Sequence, residues 1–293
     1  MTPATGMAPL IPIPQVFEVT VEDVEYQRPG GVPLLARLYR PVGAEAVAAV
    51  LDVHGGAWVV GDRTQQQALD QAIASSGVLV AAVDFRQPPG NPYPTSIVDV
   101  NLATRWLKRH AVDFGVAAGA KTGAFGGSSG GHVVILSAMR PRDPRYSASP
   151  LPEGEGVDAS LDFVVVDAPV TDPYARYLTA LEEGRADIVE RHRLYWLSDE
   201  AAVEGNPNRI LERGERVELP PLFVSQGTDD RNVPLPGTRE FVERYARAGG
   251  EVQLMTFDGL QHGFILEDPS RAESVRQAES VLAFIHDHAG QRR

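Results

Sequence analysis

The chain has 293 residues, 43% of them hydrophobic, and no Ser/Gly-rich or charged linker divides it, so we predict one α/β domain spanning residues 1–293. Its net charge of -12 and isoelectric point near 5.1 disfavour nucleic acid and membrane surfaces as partners, since no Lys or Arg cluster offsets the negative charge. The absence of cysteine excludes disulfides, thiolate nucleophiles and cysteine metal sites.

The amino-terminal segment, Met1–Pro14, has no basic start and is interrupted by prolines, so it does not resemble a signal peptide. No other apolar run has the length needed to cross a bilayer. We therefore expect a cytoplasmic protein, and the sequence leaves a homodimer open.

Runs rich in β-formers alternate with helical runs, a pattern typical of a mostly parallel sheet flanked by helices on both faces. The turn Pro29-Gly30-Gly31 predicts that the first two strands pair as an antiparallel hairpin at the sheet edge. The predicted strands are Val16–Tyr26, Leu34–Tyr39, Ala46–Val53, Val78–Phe85, Lys121–Gly126, Leu161–Asp167, Leu222–Gln226 and Val252–Phe257. The predicted helices are Gln65–Ser75, Thr95–His110, Ser129–Met139, Pro236–Ala248 and Pro269–Ala289.

One stretch, Thr171–Leu219, departs from this alternation. It combines aromatic residues with many charges at helical spacing, and about 50 residues are too many for a simple connection between strands. We predict a helical cap here, over the ends of the strands, and leave open a contribution from the amino-terminal segment. Tyr195 and Trp196 of this stretch are expected to contact substrate.

The glycine-rich turn Gly126–Gly131 joins a strand to a helix and contains two serines. A nucleophile turn of the form GxSxG needs glycine two residues before and after the serine, because a Cβ there would clash with neighbouring backbone. Both Ser128 and Ser129 satisfy this spacing. The position directly after the strand favours Ser128 as nucleophile, which leaves the Ser129 amide at the helix amino terminus as an oxyanion donor.

A second glycine-rich turn, His54-Gly55-Gly56, follows the apolar strand that ends at Val53. Glycines let backbone amides approach a ligand closely, so the amides of Gly55 and Gly56 are predicted to bind the same oxyanion. We interpret His54 as structural, holding the loop through a hydrogen bond. Trp58 is predicted to form part of the pocket wall, with a core position as the alternative.

The remaining parts of a serine hydrolase come from the last third of the chain. Asp229 and Asp230 follow a predicted strand, and only one of these neighbouring carboxylates can orient a histidine. Of the seven histidines, His262 follows the last predicted strand and is the predicted base, while the others suit structural positions. No spacing of His, Asp and Glu suggests a metal site, so we predict no metal and no cofactor.

The order Ser, Asp, His behind a His-Gly-Gly loop resembles the α/β-hydrolase fold, and within it the carboxylesterases of the hormone-sensitive-lipase-like group. The likeness runs from about Ala46 onward, and its aspartate falls on Asp230. The segments that carry it are His54-Gly55-Gly56-Ala57-Trp58, Asp84-Phe85-Arg86, Pro92-Tyr93-Pro94, Gly126–His132 and Gly227–Pro234. In two places the chain departs from the group's pattern: Ala57 replaces the third glycine of HGGG, and GGSSGG replaces GDSAGG.

The resemblance implies a carboxylesterase that cleaves small to medium acyl or aryl esters with Ser128, His262 and Asp230. The expected ligand is a small-molecule ester substrate, and a homodimer stays open. Enzymes with HGGxW loops also include arylformamidases, so an amidase or arylformamidase with the same triad is the alternative. A non-catalytic ligand-binding protein on the same scaffold is a further alternative, although such proteins tend to lose a triad residue and this chain keeps all three.

Overall fold

The computed structural model describes residues 10–151 and 156–290. Its strands are β1 (Val19–Gln27), β2 (Leu34–Pro41), β3 (Ala46–Val53), β4 (Leu79–Val83), β5 (Val116–Gly127), β6 (Phe163–Asp167), β7 (Leu222–Gly227) and β8 (Val252–Phe257). They form one sheet in the order β1-β2-β4-β3-β5-β6-β7-β8. The pairs β1/β2 and β2/β4 are antiparallel, and the other neighbours are parallel. The predicted fold class and edge hairpin are therefore confirmed.

Helices cover both faces of the sheet. They are α1 (Gln67–Ser75), α2 (Thr95–His110), α3 (Ser129–Met139), α4 (Pro173–Glu182), α5 (Ala186–Trp196), α6 (Asp199–Glu204), α7 (Pro207–Glu212), α8 (Leu235–Arg247), α9 (Phe264–Glu267) and α10 (Ala272–His288). One buried apolar cluster lies beneath α2, α3 and α8, and a second lies beneath α1 and α10. The central strand β3 is buried almost throughout because it faces both clusters.

The four helices α4–α7 lie between β6 and β7, where the sequence predicted a cap. Ile11 and Ile13, by contrast, are buried in the cluster beneath α1 and α10, whereas Tyr195 and Trp196 of α5 belong to the other cluster. Met1–Pro9 lie outside the described residues. Within the described ranges, no helix has the length and apolarity needed to cross a membrane.

Several element boundaries differ from those predicted, and the starts of β1, β5 and the last helix differ by three residues or more. β1 starts at Val19 rather than Val16, because the Val16 and Phe17 amides bond instead to the carbonyl of Ser75 at the end of α1. β5 starts at Val116, well before Lys121. The sequence did not predict this first part because residues 117–120 are alanine and glycine, which carry no β signal. The last helix, α10, starts at Ala272 rather than Pro269, and a short helix that the sequence did not predict, α9, precedes it.

Candidate active site

Ser128 lies at the sharp turn between β5 and α3, in a backbone conformation of φ 53° and ψ -118° that non-glycine residues seldom adopt. The flanking glycines make this turn sterically feasible. A Cβ on Gly126 would lie 2.7 Å from the backbone of Gly130, and one on Gly130 would lie 2.0 Å from the carbonyl oxygen of Val53. The GxSxG spacing around Ser128 therefore corresponds to two backbone contacts that exclude a side chain.

His262 bridges the serine and the aspartate. Its Nε2 lies 2.9 Å from the Ser128 Oγ, and its Nδ1 lies 2.7 Å from Oδ2 of Asp230. The other carboxylate oxygen of Asp230 accepts the amides of Asn232 and Val233, both at 2.8 Å. A carboxylate fixed in this way holds the proton of His262 on Nδ1, which leaves Nε2 free to accept the serine proton.

The alternative residues left open by the sequence face elsewhere. Ser129 is buried, and its hydroxyl accepts the amide of Trp58 at 3.1 Å rather than contacting the histidine. Asp229 is exposed and forms a weak contact with Thr228. The structure thus brings Ser128 and Asp230, and neither of their neighbours, to His262.

The predicted oxyanion donors do not share one environment. The Gly55 amide donates to Oε1 of Gln65 at 2.8 Å, so the expectation that this amide faces the reacting oxygen needs correction. The amides of Gly56 and Ser129 donate no hydrogen bond within the described part of the chain, and Gly56 lines the cavity beside Ser128. These two amides remain available to a ligand.

His54 holds the loop that carries Gly55, in agreement with the structural role predicted for this histidine. The ring bonds through Nδ1 to the carbonyl of Gly55 at 2.8 Å and stacks on Phe85 with a centroid distance of 4.3 Å. Ala57 has φ 52°, a conformation that favours glycine, at the position where the related group has its third glycine. Alanine is the smallest side chain that can replace that glycine.

The three aromatic residues predicted to contact substrate are buried and lie outside the cavity lining. Trp58 stacks on Tyr195 at 4.9 Å, and Trp196 packs edge-on against Trp58 at 5.7 Å. The Trp58 indole donates to Nδ1 of His132 at 3.1 Å, while Nε2 of His132 bonds the carbonyl of Gly205 at 2.8 Å. The expected substrate contacts are thus corrected, because these rings pack against one another in the interior of the protein.

A cavity of about 220 Å³ opens above the Ser128 hydroxyl. Apolar and charged side chains line it together, which the sequence did not reveal. The apolar residues are Ile188, Ile265 and Leu266, and the polar ones include Gln65, Gln66, Asp167, Arg176, Asp187, Arg191 and Asn232. Within the described residues, no group of three or more His, Asp or Glu side chains is arranged to hold a metal ion.

Asp167, at the end of β6, is an acid that sequence reasoning missed. Burial raises its pKa to about 6, although hydrogen bonds from Ser225 and Gln277 to its Oδ1, at 2.8 Å and 2.7 Å, act in the opposite direction. The signal was present in the sequence as a carboxylate that ends an otherwise apolar strand. Its proximity to His262 gives the site a second buried carboxyl group.

A mostly parallel sheet with a serine turn after β5, an acid after β7 and a histidine after β8 is the arrangement of the α/β hydrolases. A family model described as alpha/beta hydrolase fold matches residues 50–266, so the chain belongs to this family. The family resemblance given by the sequence motifs is confirmed.

Among relatives of known name, the chain is 29% identical over 283 residues to the probable carboxylic ester hydrolase LipM of Mycobacterium tuberculosis, covering 92% of this chain and 62% of LipM. It is 32% identical over 240 residues to esterase LipC of the same organism, covering 78% of this chain and 56% of LipC. The chain thus spans less than two thirds of the length of either relative.

Solved structures show the same fold at lower identity. A hyperthermophilic esterase from Pyrobaculum calidifontis superposes with a TM-score of 0.75 at 22% identity, over 92% of this chain and 86% of that one. Esterase Est2 of Thermogutta terrifontis superposes with a TM-score of 0.71 at 24% identity, over 97% of this chain and 95% of that one.

Proposed function

We propose that the protein is a carboxylesterase-type serine hydrolase that cleaves esters of small to medium acyl or aryl groups through an acyl-enzyme. The observation that carries this proposal is the continuous contact from the Ser128 Oγ through His262 to Asp230, at 2.9 Å and 2.7 Å. This array borders a cavity, and the family and the named ester hydrolases support the same chemistry.

In the proposed acylation, the Ser128 oxygen attacks the ester carbonyl while Nε2 of His262 takes its proton. The resulting imidazolium is stabilised by Asp230, which stays ionised. The tetrahedral oxyanion accepts hydrogen bonds from the amides of Gly56 and Ser129, and each donor contributes roughly 3 kcal/mol, or about a hundredfold in rate. His262 then protonates the departing alcohol, which leaves the acyl group on Ser128.

In the proposed deacylation, water replaces the alcohol and His262 removes its proton as the water attacks the acyl carbonyl. The same two amides bind the second oxyanion. Collapse of this intermediate returns the proton to Ser128 and releases the carboxylic acid, so that one ester and one water give one acid and one alcohol.

The test uses p-nitrophenyl butyrate with wild type, Ser128→Ala and the matched variant Ser129→Ala. We expect Ser128→Ala to lower kcat by at least ~1,000-fold, because the covalent step is lost. Ser129→Ala keeps its backbone amide and loses only a bond from Trp58, so it should retain most activity. Turnover that survives in Ser128→Ala, or is abolished only in Ser129→Ala, would contradict the proposal.

Nothing in the site favours the two alternatives predicted from the sequence. An amidase or arylformamidase would use the same triad, but the relatives described above are named as ester hydrolases. A binding protein does not require a serine held in hydrogen-bond contact with a fixed His–Asp pair. The cytoplasmic location and the homodimer stay predictions.

A further inference from the structure

The cavity that holds Ser128 also holds a buried arginine. Arg176 lies on α4 and is 8% exposed. Its Nε donates to the carbonyl oxygen of Asn232 at 2.9 Å, and its Nη2 donates to the side-chain oxygen of Asn232 at 2.6 Å. Both acceptors are neutral, so these bonds orient the guanidinium without cancelling its charge.

The surroundings of Arg176 compensate this charge poorly. Burial, together with the neighbouring guanidinium groups of Arg185 and Arg191, lowers its pKa to about 10. The carboxylates of Asp230 and Asp187 act in the opposite direction, but neither forms an ion pair with Arg176 within the described residues. A buried cation without a paired anion is costly for a protein, and an anionic ligand would relieve that cost.

A second guanidinium faces the same cavity. Arg191, on α5, lines it and forms no ion pair or hydrogen bond within the described part of the chain. Asp187, one turn earlier on the same helix, is exposed. Asp167 also lines the cavity, but its Oδ1 already accepts two hydrogen bonds from buried side chains. Beside these two carboxyl groups and the apolar side chains, the lining therefore offers a ligand two guanidinium groups, those of Arg176 and Arg191.

We propose that Arg176, assisted by Arg191, binds a carboxylate carried by the substrate, so that the preferred substrates are anionic esters. A planar guanidinium matches a carboxylate through paired N–H donors, and a charged hydrogen bond in a shielded cavity is stronger than one in water. This inference rests on the proposed function, because the ester must lie against Ser128 while its carboxylate reaches Arg176. The carboxylate belongs either to the acyl group or to the alcohol.

Two matched ester pairs separate these sources. Mono-p-nitrophenyl adipate and p-nitrophenyl hexanoate share a chain length and differ in a terminal carboxylate on the acyl side. The ion p-acetoxybenzoate and its neutral methyl ester differ in the same way on the alcohol side. We expect kcat/KM to favour the anionic member of one pair by about tenfold or more, after subtraction of spontaneous hydrolysis.

The variants test whether Arg176 causes that preference. Arg176→Gln should lower the ratio of the anionic to the neutral kcat/KM by about tenfold, and Arg176→Lys should retain part of it because the charge remains. The matched control is Arg193→Gln, since Arg193 is an exposed arginine of α5 that bonds Tyr177 and does not line the cavity. Its ratio should equal that of wild type.

Each contrary outcome has a distinct meaning. If Arg176→Gln lowers kcat/KM for both members of a pair equally, Arg176 only supports the loop of Asn232, and the inference is wrong. If wild type cleaves the neutral esters without preferring either anionic one, the inference fails while the proposed function stands. Calorimetry with the Ser128→Ala variant measures the affinity for the anionic and neutral esters without turnover. Loss of the proposed esterase activity can therefore be distinguished from loss of carboxylate recognition.

Discussion

Replacing Gly130 by alanine should uncouple the serine from its histidine. The new Cβ would lie 2.0 Å from the carbonyl oxygen of Val53 and 2.5 Å from that of His54, an overlap of about 1.4 Å relative to the 3.4 Å at which ordinary contact begins. Both oxygens belong to the backbone, so the overlap can be removed only if α3 moves away from β3. A shift of this size would break the 2.9 Å contact between Ser128 and His262 and lower kcat by ~100-fold or more.

The control is Gly127→Ala, whose Cβ would meet first the side-chain oxygen of Gln66, at 3.1 Å. The end of the Gln66 side chain can move by a few tenths of an ångström, so the loss of kcat should stay within ~10-fold. In Gly126→Ala the new Cβ would lie 2.7 Å from the nearest backbone atom, so its loss of kcat should fall between those of Gly130→Ala and Gly127→Ala. The assay is p-nitrophenyl butyrate turnover, with circular dichroism and Tm to establish folding. A folded Gly130→Ala protein with kcat within threefold of wild type would refute the reasoning.

Two further substitutions test the carboxylates of the fold. Asp230→Asn should lower kcat by roughly 10³–10⁴-fold, because an amide no longer fixes the histidine tautomer. Asp229 is exposed, so Asp229→Asn should keep a kcat near that of wild type. Equal losses of kcat in the p-nitrophenyl butyrate assay would contradict this assignment. Burial raises the pKa of Asp52 to about 8 and that of its neighbour Asp70 well above its ordinary value, so the folded state binds protons more tightly than the unfolded one. The stability that this protonated pair provides is therefore complete below about pH 4 and is lost as pH rises toward about 8. Asp70→Asn should raise the Tm at pH 8 by ~3 °C or more, and its Tm should converge with that of wild type near pH 4. Tm profiles that stay parallel across this pH range would exclude the effect.

The residues of the site that the sequence revealed are those whose roles depend on local backbone geometry. Gly126 and Gly130 are required by the turn itself, so their spacing around Ser128 could be interpreted before any coordinates were known. The position of His262 after the last strand was equally local. The choice between Asp229 and Asp230 was different, because neighbouring residues in a loop point in directions that only the fold determines, and family resemblance was needed to choose.

What the sequence could not provide is the direction in which a side chain on helices α4–α7 points. Arg176 and Tyr195 both lie on helices between β6 and β7, yet the first lines the cavity and the second is completely buried. Helical periodicity gives the relative directions of residues on one helix but not the face that the helix turns toward the site. Aromatic residues were therefore expected at the substrate, and the cavity contains guanidinium groups instead.

The buried aromatic cluster explains how the fold holds the site without touching the substrate. Trp58 follows the glycine loop with φ 66°, a strained conformation for a bulky residue that must be held by its contacts. Its amide donates to Ser129 at the start of α3, its indole donates to His132 on the same helix, and its ring stacks on Tyr195 of α5. One residue, Trp58, thus connects the glycine loop, the serine turn and helix α5. Because these contacts are buried, they fix the position of the loop relative to Ser128, and the proposed donor amide of Gly56 would be preorganised to bind an oxyanion.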